Sequence, residues 1–150
     1  MTLYLMRHGE YIPQEVDPDC PLSARGEKEV RRVAAAAAER GTAVVKIYHS
    51  GKKRAEQTAA VCADYLAPDG GIEQRAGLNP HDDIFPLLEL VTTEDNIMIV
   101  GHLPFLEKLV AYLLTGRLER AVVGFTAATL LCLSGDDERD LWKVEWIISP

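Results

Sequence analysis

Cysteine is scarce in this chain, and its three copies, Cys20, Cys62 and Cys132, are odd in number and far apart. That pattern excludes a disulfide framework and a CxxC metal or redox pair, and it suits a reducing compartment. No apolar run of roughly 18 residues or more is present to span a bilayer, and the first residues lack the basic, apolar and small-residue regions of a secretory leader. A cytoplasmic location without membrane attachment is therefore expected. Positive charge is in deficit as well: the formal net charge is −7, whereas a nucleic-acid partner would require a basic surface. Any anionic ligand must instead be met by a local cluster of cations. The sequence also has no GxxxxGK loop for a nucleotide, no GxGxxG for a dinucleotide and no C-x5-R of a cysteine phosphatase, since Cys20 has its arginine, Arg25, one position too early. No cofactor is called for.

What is present is ordinary globular composition, with 47% apolar and 26% charged residues over 150 positions. This is enough for one domain over residues 1–150 with a real core. The run Thr2-Leu3-Tyr4-Leu5-Met6 reads as a buried strand that delivers Arg7-His8-Gly9-Glu10 at its end. Taken alone, the stretch leaves open whether His8 acts on an anion or simply lies in a loop.

After a proline-punctuated loop, Tyr11 to Pro21, Ser23 reads as the N-cap of a helix. Val30, Val33, Ala34 and Ala37 give this helix one apolar stripe, and Gly41 ends it. Ala43 to Tyr48 reads as a second strand, followed by His49-Ser50-Gly51-Lys52-Lys53-Arg54 and a helix carrying Ala55, Thr58, Ala59, Cys62 and Leu66 on one face. Three cations at a helix start oppose the helix dipole. They form either a solvated patch or half of an anion site. Pro68 to Gly71 reads as a turn and Ile72 to Arg75 as a short strand; Leu78-Asn79-Pro80 then leads into a helix through Ile84, Leu87, Leu88 and Val91, whose start the pattern leaves open because Pro86 is acceptable only within a first turn. Asn96 to Val100 is the clearest strand; it ends at Gly101-His102-Leu103-Pro104, with Pro104 suited to position N1 of a helix that Gly116 stops. Ala121 to Leu133 and Leu141 to Ile148 read as strands around the turn Ser134-Gly135-Asp136-Asp137.

The expected fold is α/β: a mostly parallel central sheet with helices on both faces and an antiparallel C-terminal edge hairpin. In such a sheet the three junctions bearing Arg7-His8, Arg54 and His102 open on one edge and can line one pocket. Two guanidinium forks and helix-terminal amides match phosphate oxygens. A neutral imidazole among cations can attack phosphorus, and the arginines spread transition-state charge. The alternative for the acidic group His81-Asp82-Asp83 is a metal fragment, against the plainer reading of a solvated helix cap; no metal is expected.

Arg7-His8-Gly9-Glu10 resembles the RHG signature of the histidine phosphatase superfamily, the phosphoglycerate mutase-like fold. Pro21-Leu22-Ser23-x-x-Gly26 is similar to its P-L-[ST]-x-x-G helix start, and Ser50-x-x-x-Arg54-Ala55-Glu56-Gln57-Thr58 to its S-P-x-x-R-A-x-Q-T motif. Gly101-His102-Leu103-Pro104 and the closing Trp146-Ile147-Ile148-Ser149-Pro150 resemble its small SixA-type phosphohistidine phosphatases. The resemblance implies a metal-independent hydrolase with His8 as nucleophile, Arg7 and Arg54 holding the phosphoryl group and His102 donating a hydrogen bond to it. It also implies a phosphohistidine of a signalling or phosphotransfer protein as substrate, with inorganic phosphate as product. One departure is Gly51, where the superfamily usually has proline, followed by Lys52 and Lys53 where apolar residues are common. Larger relatives carry a proton-donating acid after the second arginine; here Glu10, Asp82 and Asp83 are the candidates by position. No lid fits between Arg54 and His102, which leaves room for a protein substrate, and an imidazole leaves a P–N bond easily enough to make an acid dispensable. The alternatives are a small-molecule phosphomonoesterase and a non-catalytic module that binds phosphorylated partners. A monomer is the default expectation.

Overall fold

Alternation along the first strand sets the layers of the molecule. In a computed structural model that describes residues 1–119, 123–136, 138–139 and 141–150, β1 (Thr2–Arg7) sends Leu3 and Leu5 to one face and Tyr4 and Met6 to the other. β1 pairs in parallel with β4 (Ile97–Gly101), which pairs in parallel with β2 (Lys46–His49), itself parallel to β3 (Ile72–Gln74). On the other side β1 meets β5 (Leu130–Asp136) antiparallel, and β5 meets β6 (Leu141–Ile148) antiparallel. The order β3-β2-β4-β1-β5-β6 is thus the mostly parallel sheet with an antiparallel edge that the sequence pattern implies.

α1 (Ala24–Glu39) and α2 (Lys53–Leu66) cover the face of Tyr4, Met6, Met98 and Val100. A 3-10 turn (Phe85–Leu87), α3 (Leu88–Thr93) and α4 (Phe105–Thr115) cover the face of Leu3, Leu5, Ile97 and Ile99. β4 is buried along its whole length because it lies mid-sheet under both layers. Ser23 caps α1 by accepting from Gly26 N, and the stripe Val30, Val33, Ala34 and Ala37 is buried as its spacing requires.

Four boundaries differ from the sequence pattern. β2 begins at Lys46 rather than Ala43, although Val45 still donates to Asn96 O. Pro104 is the N-cap of α4 rather than its first residue. The expected strand from Ala121 starts only at Leu130; Ala121 and Val122 lie outside the described residues, and residues 123–129 form a loop. That loop bonds to the end of β1 instead of extending the ladder: Arg7 N donates to Thr129 O, and Ala128 N to His8 O. The expected turn Ser134-Gly135-Asp136 is strand, paired with Lys143, Trp142 and Leu141, because the Trp142 ring lies across Gly135 and carries the ladder further. Asp137 lies outside the described residues. Pro86 sits in the first turn of its 3-10 segment, where its missing N–H costs nothing. No helix among the described residues is long and apolar enough to cross a membrane.

Candidate active site

The strand order places the ends of β2, β4 and β1 side by side, so residues far apart in sequence meet on one sheet edge. Arg7 is the register partner of Gly101, and His8 N donates to Gly101 O at 3.1 Å. Arg7, His8, Arg54 and His102 come together there, with the His8 and His102 ring centroids 4.9 Å apart. Arg54 reaches the group from the first turn of α2.

His8 is almost wholly buried, at 5% exposure. Its Nδ1 lies 2.8 Å from Gly9 O, and because a carbonyl only accepts, Nδ1 bears the proton and Nε2 carries the lone pair. Burial, reinforced by the charges of Arg54 and Arg7, pushes its pKa down to about 4, so the ring is neutral near pH 7. His102 is driven down further, to about 3, first by burial and then by His8, Arg54, Lys52 and Arg7.

Three buried nitrogens around His8 have no hydrogen-bond partner among the described residues: Nε of Arg7, Nε of Arg54 and Nδ1 of His102. Leaving a buried donor unpaired costs about 1–3 kcal/mol, so three in one place suit an acceptor-rich anion. The other contacts hold these groups still. Arg7 Nη1 donates to Phe125 O at 2.7 Å. His102 Nε2 pairs with Ser50 Oγ at 2.7 Å, and Ser50 Oγ also accepts from Lys52 N. The Ser50 hydroxyl, which accepts from Lys52 N, has one proton to give; when it donates that proton to His102 Nε2, the imidazole proton lies on Nδ1 and that nitrogen is a donor.

Several contributors were not singled out by sequence reasoning. Thr58 Oγ1 accepts from Gly9 N at 3.1 Å and donates to Arg54 O at 2.8 Å, tying the loop of His8 to the helix of Arg54. Its place in the Arg54-x-x-x-Thr58 motif was the available signal. Tyr11 packs edge-on against His8 and covers the Arg54 guanidinium at 4.6 Å, yet belongs to no motif. With Arg54, Lys52, Glu15 and Cys20 it lines an open depression of about 660 Å³. The Phe125 carbonyl could not be read from sequence, because backbone acceptors leave no residue-type signal.

Each of the three acidic candidates accepts a hydrogen bond from a neighbouring group. Glu10 Oε2 accepts from the Ser23 hydroxyl, Asp82 Oδ2 from Asn79 N, and Asp83 Oδ1 from Phe85 N. The geometry of Gly26 explains the helix-start motif: a Cβ there would fall 2.0 Å from Glu10 O, so only glycine lets α1 press against the loop that follows His8.

Residues 3–80 match the model of the histidine phosphatase superfamily (branch 1). The chain belongs to that superfamily. Among solved structures, the protein histidine phosphatase SixA complexed with tungstate superposes with a TM-score of 0.86 at 26% identity, covering 100% of this chain and 97% of the other. A putative phosphohistidine phosphatase SixA from Agrobacterium tumefaciens gives 0.80 at 24% identity, over 99% and 97%. A mycobacterial glucosyl-3-phosphoglycerate phosphatase complexed with VO3 gives 0.76 at 19% identity, over 99% of both chains. No curated sequence matches the chain. Superfamily membership and these neighbours support a phosphatase hydrolase.

Proposed function

We propose that the protein is a metal-independent phosphohistidine phosphatase that passes the phosphoryl group through His8. The observation that carries this reading is the neutral His8 ring, with Nε2 unprotonated, set among the unpartnered Nε of Arg7, Nε of Arg54 and Nδ1 of His102. Nε2 attacks phosphorus in line, the P–N bond of the substrate breaks, and the phosphoryl group rests on His8 while the substrate imidazole leaves with a proton from solvent. Water then attacks the phosphohistidine of the enzyme, releases inorganic phosphate and restores His8. The arginines and His102 neutralise the equatorial oxygens in both transition states.

The substrate class follows from the leaving group. Glu10, Asp82 and Asp83 accept hydrogen bonds from Ser23, Asn79 and Phe85 respectively rather than from a phosphoryl-site group, and an alkoxide leaving group needs a positioned acid more than an imidazole does. The open depression beside Arg54 suits a phosphohistidine presented on a protein, and the tungstate-bound SixA neighbour is described as a protein histidine phosphatase. The test offers a phosphohistidine protein and a panel of phosphate monoesters side by side. Faster release from the phosphohistidine protein is expected; faster turnover of monoesters would transfer the assignment to a small-molecule phosphomonoesterase, and a bound phosphate that is never released would mark a binding module.

A further inference from the structure

The turn that leads into Arg54 is built differently from the proline turn usual in the superfamily, and His49 stands at its centre. Gly51 has φ +91, which proline, held near −65°, does not reach. Its N–H donates to His49 Nδ1 at 3.1 Å, a bond proline has no hydrogen to make. His49 ends β2, is 5% exposed and takes no part in the chemistry described above. Accepting at Nδ1 fixes its proton on Nε2. Burial lowers its pKa despite the opposing pull of Glu56, which favours the neutral, accepting ring. From the other side, Gln74 of β3, the register partner of His49, lies so close that a Cβ on Gly51 would meet its Nε2 at 2.4 Å.

The turn held in this way supports two of the phosphoryl-site groups, His102 and Arg54. Ser50 orients His102, and Lys52 is the N-cap of α2 with no side-chain cap bond of its own, so the start of the helix that aims Arg54 depends on the turn before it. We propose that His49 is a positioning residue for the phosphoryl site, accepting the Gly51 N–H to set the Ser50–Lys52 turn and, through it, His102 and Arg54. This rests on the proposed function for its link to turnover. In this chain a buried imidazole acceptor and a glycine donor do what a rigid proline does elsewhere.

The test pairs His49→Leu, which keeps bulk but cannot accept, with His49→Asn, whose Oδ1 falls near the position of Nδ1. In the Leu variant kcat is expected to drop about tenfold with KM little changed and tungstate affinity to weaken in parallel, while the Asn variant recovers most of both at comparable thermal stability. Nitrogen-15 NMR of the unaltered protein should show His49 as the Nε2–H tautomer with a hydrogen-bonded Nδ1, a readout that needs no variant to fold. The proposal is overturned by a proton on His49 Nδ1, by wild-type kcat and tungstate affinity in the Leu variant, or by an Asn variant no better than the Leu one. Absence of turnover in the unaltered protein would defeat the proposed function alone, because tungstate affinity and the tautomer still decide the role of His49.

Discussion

His8 keeps its proton on the nitrogen facing Gly9, and burial denies it a second one until about pH 4. Proton NMR should therefore find its ring neutral well below the ordinary histidine range near 6.5, with a midpoint closer to 4. A midpoint near 6.5 would contradict the buried, cation-flanked setting. As the proposed nucleophile, His8 should form an acid-labile, base-stable phosphoryl adduct during turnover; His8→Ala should lose the adduct and at least a thousandfold in kcat, on the scale expected for removing a nucleophile. Thr58 gives a residue-scale test that avoids the reacting groups. Thr58→Val keeps the shape but strands the Gly9 N–H and frees the Arg54 carbonyl, so urea unfolding should register a loss of about 1–3 kcal/mol, with a fall in kcat as the two loops separate.

Among the elements, α1 is the one whose start doubles as a support for the site. Ser23 caps it, holds the Glu10 carboxylate and donates its backbone N–H to Glu10 O, while Gly26 presses directly on that same carbonyl. Gly26→Ala should be far worse than the usual helical glycine change, which stabilises by up to about 1 kcal/mol; here the added methyl overlaps backbone. A lower thermal midpoint together with a lower kcat is expected, against a midpoint that rises if the contact is tolerated. The element boundaries were legible wherever a cap or an apolar period marked them, as at Ser23, Gly41 and Gly116. They were not legible at residues 123–129, where a β-prone run meets only the very end of β1, at Arg7 and His8, and turns back on itself with Thr129 N donating to Thr126 O. Propensity reports what a segment can form, and the partner on offer decides what it does form.

At the scale of the whole molecule, the buried histidines couple the site to stability. An unfolded chain takes up a proton on each near pH 6.5, whereas the folded chain resists until about pH 4 for His8 and about pH 3 for His102. Between those values the unfolded state holds more protons, so stability is greatest above about pH 6.5 and falls with acidification. Urea unfolding should show a loss of roughly 2 kcal/mol for each of the two between about pH 7 and pH 5, and His8→Gln should remove its share of that slope. The sequence by itself determined the parallel α/β sheet, because buried strand runs alternating with helical stripes have few other ways to bury both faces. It also determined which residue types wait at the strand ends, since Arg7-His8, Arg54 and His102 each follow a readable strand or open a readable helix. Only the tertiary structure decided that β4 lies between β1 and β2, bringing His102 between His8 and Ser50. It also decided which nitrogen of His8 is free, that three site nitrogens lack partners among the described residues, and that Gly51 leans on His49. These are facts of distance between groups remote in sequence or fixed by loop conformation, and neither periodicity nor spacing encodes them.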